Sequence, residues 1–562
     1  MARYVIGMDY GTDKVSTIVV NADTGENVAM SEMEYPRWKQ GLYCNAKINQ
    51  WRHHPLDYIE VLEGSIKDVL SFCAPSVVSN IVAIGIDTTG STPVFVDKTA
   101  TPLSLYPEFS ENPNAMLLLW KDHTSIAEAT EITEACKAAD VDYTKYVGGT
   151  YSAEWFWAKA IHVLRNDEAV TSKAQAIIEC CEWLPAMLTG VTDIKQVIHS
   201  RCALGHKAMW HEEWNGMPPE SFLMGLEPKL SNIMDKFSGK VLTADKSVGI
   251  ISPEWAQRLH LPGNVRIAGG AYNSHLGAVG AGVTENTMVT LLGKSTCNIM
   301  IASKEKIGDK CIDGICGQVD GSVIPGMIGL EAGQSSYGDV YEMFTRLMRF
   351  PLDNMILPVL KDYLPEEQLN KIVDEACMNT ISKLCEEAEK LPLTENDMVA
   401  TDWFNGRRSP NANSLLKGTV TGYELSTSAP QIFKALVEGT AFGARAIIEK
   451  FETQDIPVND VIIVGRYTMK SSFIIQTLCD IINKPIKVIN SDYVCSLGSA
   501  MIAATAAGVY EKVEKAIEVM NAGFSRKLIP TAENTAVYNE LYKTYKRLGK
   551  FTEDYIYNKK LN

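Results

Sequence analysis

The 562-residue sequence lacks the segments that mark membrane, secreted and nucleic-acid-binding proteins. It has no run of about 20 apolar residues, the length that a membrane-spanning helix needs. Residues 1–7 lack the long apolar region of a signal peptide, so we expect a cytoplasmic protein. Basic residues number 53 against 68 acidic ones, and the net charge of -15 argues against nucleic acid or an anionic membrane as a partner.

The cysteines also lack the spacing of a metal or redox motif. None of the 13 cysteines forms a Cys-x-x-Cys pair, although Cys180 and Cys181 are adjacent and Cys311 and Cys316 are five apart. In a cytosolic protein they are expected to be reduced thiols. A zinc site built from Cys311, Cys316 or the His53-His54 pair is therefore not favoured over packing or loop roles.

Two common nucleotide motifs are missing as well. Gly277-Ala-Val-Gly280-Ala-Gly282 does not have the spacing Gly-x-Gly-x-x-Gly, so a dinucleotide-binding fold is not supported. Gly293-Lys294-Ser295 imitates the end of a phosphate-binding P-loop, but that motif needs a glycine where Met288 stands.

Residues 5–12, Val-Ile-Gly-Met-Asp-Tyr-Gly-Thr, carry a pattern that recurs further along the chain. An apolar run ends at Asp9, a Gly-Thr turn follows, and apolar residues resume at Val15, as in a β-hairpin. Such a turn presents backbone N–H groups and a hydroxyl to phosphate oxygens. Residues 84–90 repeat the strand-then-Asp pattern, and residues 289–296 repeat the strand-then-turn pattern. One such turn also fits an ordinary hairpin, but one in each half predicts duplicated domains that hold one nucleotide.

The rest of the chain alternates apolar strands with longer helical patterns, which is typical of α/β architecture. The length predicts two or more domains, and we place the split within 283–288, giving domains 1–285 and 286–562. A strand is predicted over 81–86, and helices are predicted over 56–73, 151–165, 173–188, 430–451, 472–483 and 534–550.

Several long stretches resemble sugar kinases of the carbohydrate kinase family that shares its core with actin and hexokinase. The matching stretches are 50–59, 87–93, 111–116, 119–124, 152–159, 201–207, 331–335 and 405–410. Within that family they are similar to the members that phosphorylate ribulose in L-arabinose breakdown. The resemblance implies two related α/β domains with ribonuclease H-like cores, a cleft between them, and L-ribulose or a related ketopentose as the substrate.

The resemblance also implies a role for particular residues on the sugar side. Lys207 and Glu331 are expected to contact the ketose hydroxyls, and Gly90 is expected to line the pocket and leave room for the sugar. Taken alone, Lys207 or Glu331 is more simply read as part of a surface ion pair. Their place inside long matching stretches favours the functional role.

On the nucleotide side the resemblance implies ATP and Mg²⁺ as cofactors. Asp9 is expected to help hold the magnesium, directly or through water. The residues expected to hold the phosphates or border the adenosine, next to a helix that begins near Ser472, are Gly11, Thr12, Gly293, Ser295, Thr296 and Gly465.

The sequence departs from the family at the position of the catalytic base. Family members have an Asp-x-His segment ahead of a Gly/Ala-rich helix, and here the segment is Asn273-Ser274-His275. An amide has no usable basicity near neutral pH, so Asn273 can hold a hydroxyl but cannot take its proton. His275 occupies a different position and is a poor substitute.

Other departures fall on the nucleotide side. Lys14 and Ser16 replace the usual Ser and Arg of the first turn, and Lys294 replaces a Thr in the second. Arg466 replaces the second glycine of the adenosine-side pair, and Tyr467 replaces a small aliphatic residue. A side chain after Gly465 is expected to fill space that the ligand needs, whereas the charge of Lys294 could still favour phosphate.

Two hypotheses about function remain open on the sequence. In the first, the chain is a working ribulose kinase that tolerates unusual residues around ATP. In the second, it keeps the kinase fold and binds the ketose but scarcely turns over. Asn273 favours strongly impaired turnover. A homodimer is one oligomeric state left open.

Overall fold

Two seven-stranded sheets with the same internal strand order organise the chain. The computed structural model describes residues 2–234, 239–465 and 471–561, and all of their side chains except those of 376–378 and 557–561. In both sheets, the first two strands and a later third lie side by side, next to strands from further along the chain. In the second sheet the short strand Gly317–Asp320 precedes that third strand and lies at the edge. The duplication predicted from the repeated turns is therefore visible as a repeated topology.

The first sheet grows from an N-terminal hairpin. Its strands, in spatial order, are Ser247–Ile250, Arg266–Ala268, Ile81–Thr88, Tyr4–Tyr10, Lys14–Asn21 and Asn27–Glu34, and Ala271–Tyr272 also pairs with Ile81–Thr88. Tyr4–Tyr10 pairs antiparallel with Lys14–Asn21 and parallel with Ile81–Thr88. The central strands are apolar and nearly fully buried, as expected for strands covered on both faces.

The second sheet repeats this order. Its strands, in spatial order, are Gly317–Asp320, Met327–Gln334, Thr296–Ser303, Thr287–Leu292, Asp460–Val464, Ile486–Ile489 and Phe524–Leu528. Thr287–Leu292 pairs in parallel with Asp460–Val464, which matches the pairing of Tyr4–Tyr10 with Ile81–Thr88.

By contact density the chain divides into two compact units. The first contains residues 1–285, 299–331 and 493–523, and the second contains residues 286–298, 332–492 and 524–562. The longer helices of the first unit are Pro55–Ser71, Ile126–Ala138, Phe156–Asn166, Cys180–Thr189, Arg201–Lys207, Glu220–Leu226, Pro253–Leu259, Asn273–Gly280, Val494–Ala506 and Val513–Met520. Those of the second are Gly338–Pro351, Glu366–Glu389, Ala429–Glu452, Ser472–Ile482 and Ala532–Leu561.

Most predicted helices lie where their periodicity placed them, although the one predicted over 151–165 begins only at Phe156, and one prediction is wrong. The pattern over 173–188 is not one helix, because the strand Ala176–Glu179 lies inside it and the helix Cys180–Thr189 follows. The segment is almost entirely buried, and a short apolar run that is buried on every side carries no period that separates a strand from a helix.

The helix Val494–Ala506 lies directly on the first sheet, and a glycine makes this approach possible. A Cβ atom at Gly85 would lie only 2.1 Å from the carbonyl oxygen of Ser499. The close approach brings the Ser499 hydroxyl to Asp87, two residues further along the same strand. In the part of the chain that the structure describes, no helix is both long and apolar enough to span a bilayer.

Candidate active site

Three neighbouring strands of the first sheet bring Asp9, Asp87 and Asn273 together. Asp9 is the register partner of Asp87, and Ala271 is the partner of Asp87 on its other side. Asn273 comes two residues after Ala271, at the start of the helix Asn273–Gly280. Its side-chain amide donates a hydrogen bond of 3.5 Å to Oδ1 of Asp9. The expected base position and the expected magnesium ligand are therefore direct neighbours.

The two carboxyl groups of this cluster are strained electrostatically. Burial and the neighbouring Asp9 hold the pKa of Asp87 well above its usual value, and desolvation also raises the pKa of Asp9. The Ser499 hydroxyl donates to Oδ2 of Asp87 at 2.6 Å, whereas Oδ1 is buried and receives no hydrogen bond from the described residues. An oxygen donor set of this kind, with an unsatisfied buried oxygen, fits a hard divalent cation such as Mg²⁺.

Gly90 lies in the turn after the strand that carries Asp87, against the ring of Tyr272. A Cβ atom at position 90 would lie 2.1 Å from Cδ1 of that ring, so no other residue fits without movement. The buried Glu179 carboxylate accepts hydrogen bonds from the Ser91 hydroxyl, from the Thr92 N–H at 2.8 Å and from the Tyr272 hydroxyl at 3.1 Å. Glu179 thus joins the Gly90 turn to the residue that precedes Asn273.

Lys207 and Glu331 form a buried ion pair. The Lys207 ammonium lies 2.8 Å and 2.9 Å from the two Glu331 carboxylate oxygens, and the residues are 4% and 6% exposed. Lys207 ends the helix Arg201–Lys207, and Glu331 lies in the strand Met327–Gln334. This burial excludes the surface ion pair as the explanation. A buried pair contributes little net stability on its own, and the role of both residues in sugar binding stays a prediction.

The first predicted phosphate turn is a tight hairpin. The N–H of Gly11 donates to the carbonyl of Lys14 at 3.0 Å, and the Trp120 indole N–H donates to the Thr12 hydroxyl oxygen at 3.0 Å. Lys14 forms an ion pair with Glu32, whose carboxylate also accepts a 3.4 Å hydrogen bond from Ser16. The charge that Lys14 adds beside the turn is therefore balanced by Glu32.

The second predicted phosphate turn is held by a helix N-terminus. The carbonyls of Gly293 and Lys294 accept hydrogen bonds from the first N–H groups of the helix Gly338–Pro351, at distances from 2.6 to 3.2 Å. Lys294 is exposed. The Thr296 hydroxyl is buried, where it accepts from the Gln334 N–H at 2.9 Å and donates to the Gln334 side chain at 3.3 Å. In this conformation Thr296 fixes the strand, and its contact with a phosphate stays a prediction.

Gly465 directly follows the strand Asp460–Val464 and has a conformation that requires glycine. Its φ is 137°, and a Cβ atom would lie 2.2 Å from the carbonyl oxygen of Leu292. The helix predicted near Ser472 begins there and is capped by the hydroxyl of Ser471. Arg466 and Tyr467 lie outside the described residues. The adenosine-side role of Gly465 therefore stays a prediction.

Some residues of the constellation carried no signal in the sequence. Glu179, Tyr272 and Ser499 touch the site residues, but nothing local marks them as site residues. His206 lies directly before Lys207 inside a matching stretch, and its ring lies 4.4 Å from that of His275. The one sequence feature that could have drawn attention to Glu179 is a charged residue at the end of an apolar strand, where burial of the charge is unusual.

The family of the protein follows from two matches that together cover both halves. Residues 4–280 match the N-terminal domain of the FGGY family of carbohydrate kinases, and residues 288–507 match its C-terminal domain. The chain belongs to this family, whose members have the actin/hexokinase-like α/β fold. The xylulose kinase of Rhodospirillum rubrum has the same fold, with a TM-score of 0.77 at 16% identity, over 99% of this chain and 100% of that one.

Two relatives of nearly the same length are ribulokinases. The one from Vibrio parahaemolyticus is 42% identical over 98% of this chain and 96% of its own length. The one from Shouchella clausii is 32% identical over 98% of this chain and 95% of its own length.

Proposed function

We propose that this chain is a cytoplasmic, ATP- and Mg²⁺-dependent kinase for the terminal (5-) hydroxyl of ribulose in L-arabinose degradation, with strongly impaired turnover. The single observation that carries the proposal is the strand-end cluster in which Asn273 stands beside Asp9. The ribulokinase relatives support the substrate, because both align over almost the whole chain. The 1–285 domain would carry the first phosphate turn and the sugar pocket, to which Glu331 is added from beyond residue 285, and the 286–562 domain would carry the second turn and the adenosine side.

Lys207 and Glu331 have the chemistry that a polyhydroxy ligand requires. The ammonium only donates hydrogen bonds and the carboxylate only accepts them, so together they can orient a hydroxyl that does both. Their burial removes competing water, which strengthens each polar contact. The ammonium also lies 5.0 Å from the centre of the Trp155 ring, which supplies an apolar wall beside it.

Asp9 and Asp87 are the residues that would hold the magnesium. When bound, the ion would neutralise the charge on the transferring phosphate oxygens. Both carboxyl groups have raised pKa values from burial, and a divalent cation beside them would restore their ionised forms. Gly11 and Thr12, on the turn that follows Asp9, would donate hydrogen bonds to the phosphate oxygens.

Removal of the proton from the attacking hydroxyl is the step for which this chain lacks the expected base. The attacking hydroxyl must lose a proton, and a positioned base usually accelerates such a transfer by about 10²–10⁴-fold. The Asn273 amide donates to Asp9 and has no basicity to offer the hydroxyl. His275 does not replace it, because burial lowers its pKa to about 4 and its Nε2 faces Glu331 at 3.8 Å.

The second candidate function is a ribulokinase-fold protein that binds the ketose without phosphorylating it. The hydrogen bond from Asn273 to Asp9 favours it, because the residue at the expected base position is an amide that donates to Asp9 and offers no basic atom to the ketose. The two candidates share the sugar pocket and differ only in turnover.

Calorimetry with L-ribulose and a coupled ADP-release assay test the proposal together. We expect ribulose to bind at millimolar or lower concentration and to lose binding in Lys207→Met, with slow ADP release that depends on ribulose. Binding without any ribulose-dependent ADP release supports the silent binder. A folded protein that shows neither heat nor a thermal shift with millimolar ribulose contradicts both.

A further inference from the structure

Three buried side chains on the sugar side place their metal-binding atoms close together. These are His206, His275 and Glu331, and one donor atom of each lies within 4.8 Å of the other two. Nδ1 of His206 is 3.3 Å from Oε2 of Glu331, and Nε2 of His275 is 3.8 Å from the same oxygen. Tetrahedral zinc sites with bonds of about 2.0–2.2 Å separate their ligand atoms by similar distances.

The hydrogen bonds around His206 determine which of its nitrogens carries the proton. The Ser322 hydroxyl donates to the carbonyl of Val319 at 3.2 Å, so its oxygen accepts from Nε2 of His206 at 3.0 Å. The proton is then on Nε2, and the Nδ1 lone pair faces the Glu331 carboxylate. The Glu331 carboxylate is already paired with the Lys207 ammonium, so the Nδ1 lone pair of His206 is the group left without a donor in the described part of the chain, and a cation bound beside both would satisfy it.

His275 completes the same arrangement. Its Nδ1 lies 3.2 Å from the Ser274 hydroxyl, whereas its Nε2 is buried and has no hydrogen-bond partner among the described residues. The Nδ1 atom of His206 is likewise buried without such a partner. Two imidazole nitrogens without hydrogen-bond partners among the described residues therefore lie within 3.8 Å of one carboxylate oxygen of Glu331.

We propose that Nδ1 of His206, Nε2 of His275 and one carboxylate oxygen of Glu331 form a binding site for a zinc-class transition-metal ion, and that the bound metal excludes the ketose. Two imidazoles and a carboxylate suit Zn²⁺ rather than Mg²⁺, which prefers oxygen ligands. The exclusion of the ketose rests on the proposed role of Glu331 in sugar binding. Metal binding itself does not depend on that role.

Lys207 sets the affinity of this site. Its ammonium lies within 2.9 Å of both Glu331 oxygens, so the metal must compete with it for the carboxylate. Removal of that positive charge should strengthen metal binding, while it weakens the binding of ribulose. The opposite signs of these two effects separate a metal site from a general loss of structure.

Calorimetric titration of the full chain with Zn²⁺, and with Co²⁺ followed by visible absorption, tests the site. We expect one Zn²⁺ per chain, an affinity at least 10-fold weaker in His275→Gln and in His206→Gln, and tighter binding in Lys207→Met. The matched control is His162→Gln, which alters a His–Glu pair of 3.1 Å with Glu128 elsewhere in the chain and should leave the affinity unchanged. Circular dichroism of each variant shows whether it folds. If one of the two His variants does not fold, the metal affinity of the other tests the site.

The competition experiment keeps the two proposals apart. Saturating Zn²⁺ should abolish the heat of ribulose binding, and His275→Gln should relieve this effect. No Zn²⁺ binding up to 100-fold excess, equal affinity in the unaltered chain and both His variants, or simultaneous binding of Zn²⁺ and ribulose would overturn the inference. If ribulose does not bind even without metal, the proposed function fails, while the zinc titration still decides the metal site.

Discussion

The change Asn273→Asp tests where the chemistry of this chain is limited. The substitution replaces an amide by a carboxylate of nearly the same shape, so folding should change little. It returns a proton acceptor to the position at the start of the helix Asn273–Gly280. We expect kcat for L-ribulose to rise about 10²-fold or more, the lower end of what general-base catalysis supplies.

The structure also indicates why recovery should depend on pH and Mg²⁺. The Asn273 amide lies 3.5 Å from Oδ1 of Asp9, and two carboxylates at that distance repel by about 5 kcal/mol at an effective dielectric constant of 20. This repulsion raises the pKa of the new carboxyl group, so that it is protonated and inactive as a base at low pH. The gain in kcat should therefore increase as the pH rises, and it should require Mg²⁺ beside Asp9.

A coupled ADP-release assay from pH 6 to pH 9, at several Mg²⁺ concentrations, measures this dependence. Asn273→Ala is the control without a base and should show no gain. Asn354→Asp adds the same charge at an exposed position and should leave kcat unchanged. A variant that folds and binds both substrates but gains less than about 3-fold at every pH would refute the assignment of Asn273 to the base position.

Three further predictions concern the neighbouring groups. Asp87→Asn should raise the free energy of unfolding in urea by about 1–3 kcal/mol at pH 8 without Mg²⁺, and by less at pH 4. The reason is that folding raises the pKa of the Asp87 carboxyl group, so the folded state loses stability as the pH rises. An equal gain at both pH values contradicts this. Gly90→Ala should lower the free energy of unfolding by about 1–3 kcal/mol in the same assay, because the added methyl group would lie 2.1 Å from the Tyr272 ring. It should also weaken ribulose binding in calorimetry. Lys207→Met should lower the free energy of unfolding by about 3–5 kcal/mol, because Glu331 is left buried without its cation. The double variant that adds Glu331→Gln should recover this stability but should not recover ribulose binding.

Local patterns in the sequence were sufficient to predict the strands that lead into the first phosphate turn and the Asp87 strand end. The hairpin around Gly11 is confirmed, as is the strand that ends beyond Asp87, because an apolar run followed by a turn is read from adjacent residues. The helices at Pro55–Ser71 and Ala429–Glu452 agree with predictions from periodicity, since each has one buried face.

Contacts between distant segments could not be read in this way. Glu179 is about 90 residues from both Ser91 and Tyr272, and no local spacing predicts that it joins them. Similarly, Thr296 looks like a phosphate ligand in a Gly-x-Ser-Thr turn, but the strand places its hydroxyl against Gln334. The burial of Lys207 and Glu331 depends on packing 124 residues apart, so an exposed pair was equally compatible with their local sequence.

The rate at which the unaltered chain forms ribulose 5-phosphate tests the central claim most directly. Mass spectrometry of the product from L-ribulose, ATP and Mg²⁺ at saturating concentrations, with ribulose binding measured on the same sample, provides this rate. We predict measurable ribulose binding together with a rate at least 10²-fold below the median enzyme value of about 10 per second. Phosphorylation at about 10 per second would contradict the account, because another group would then have to accept the proton.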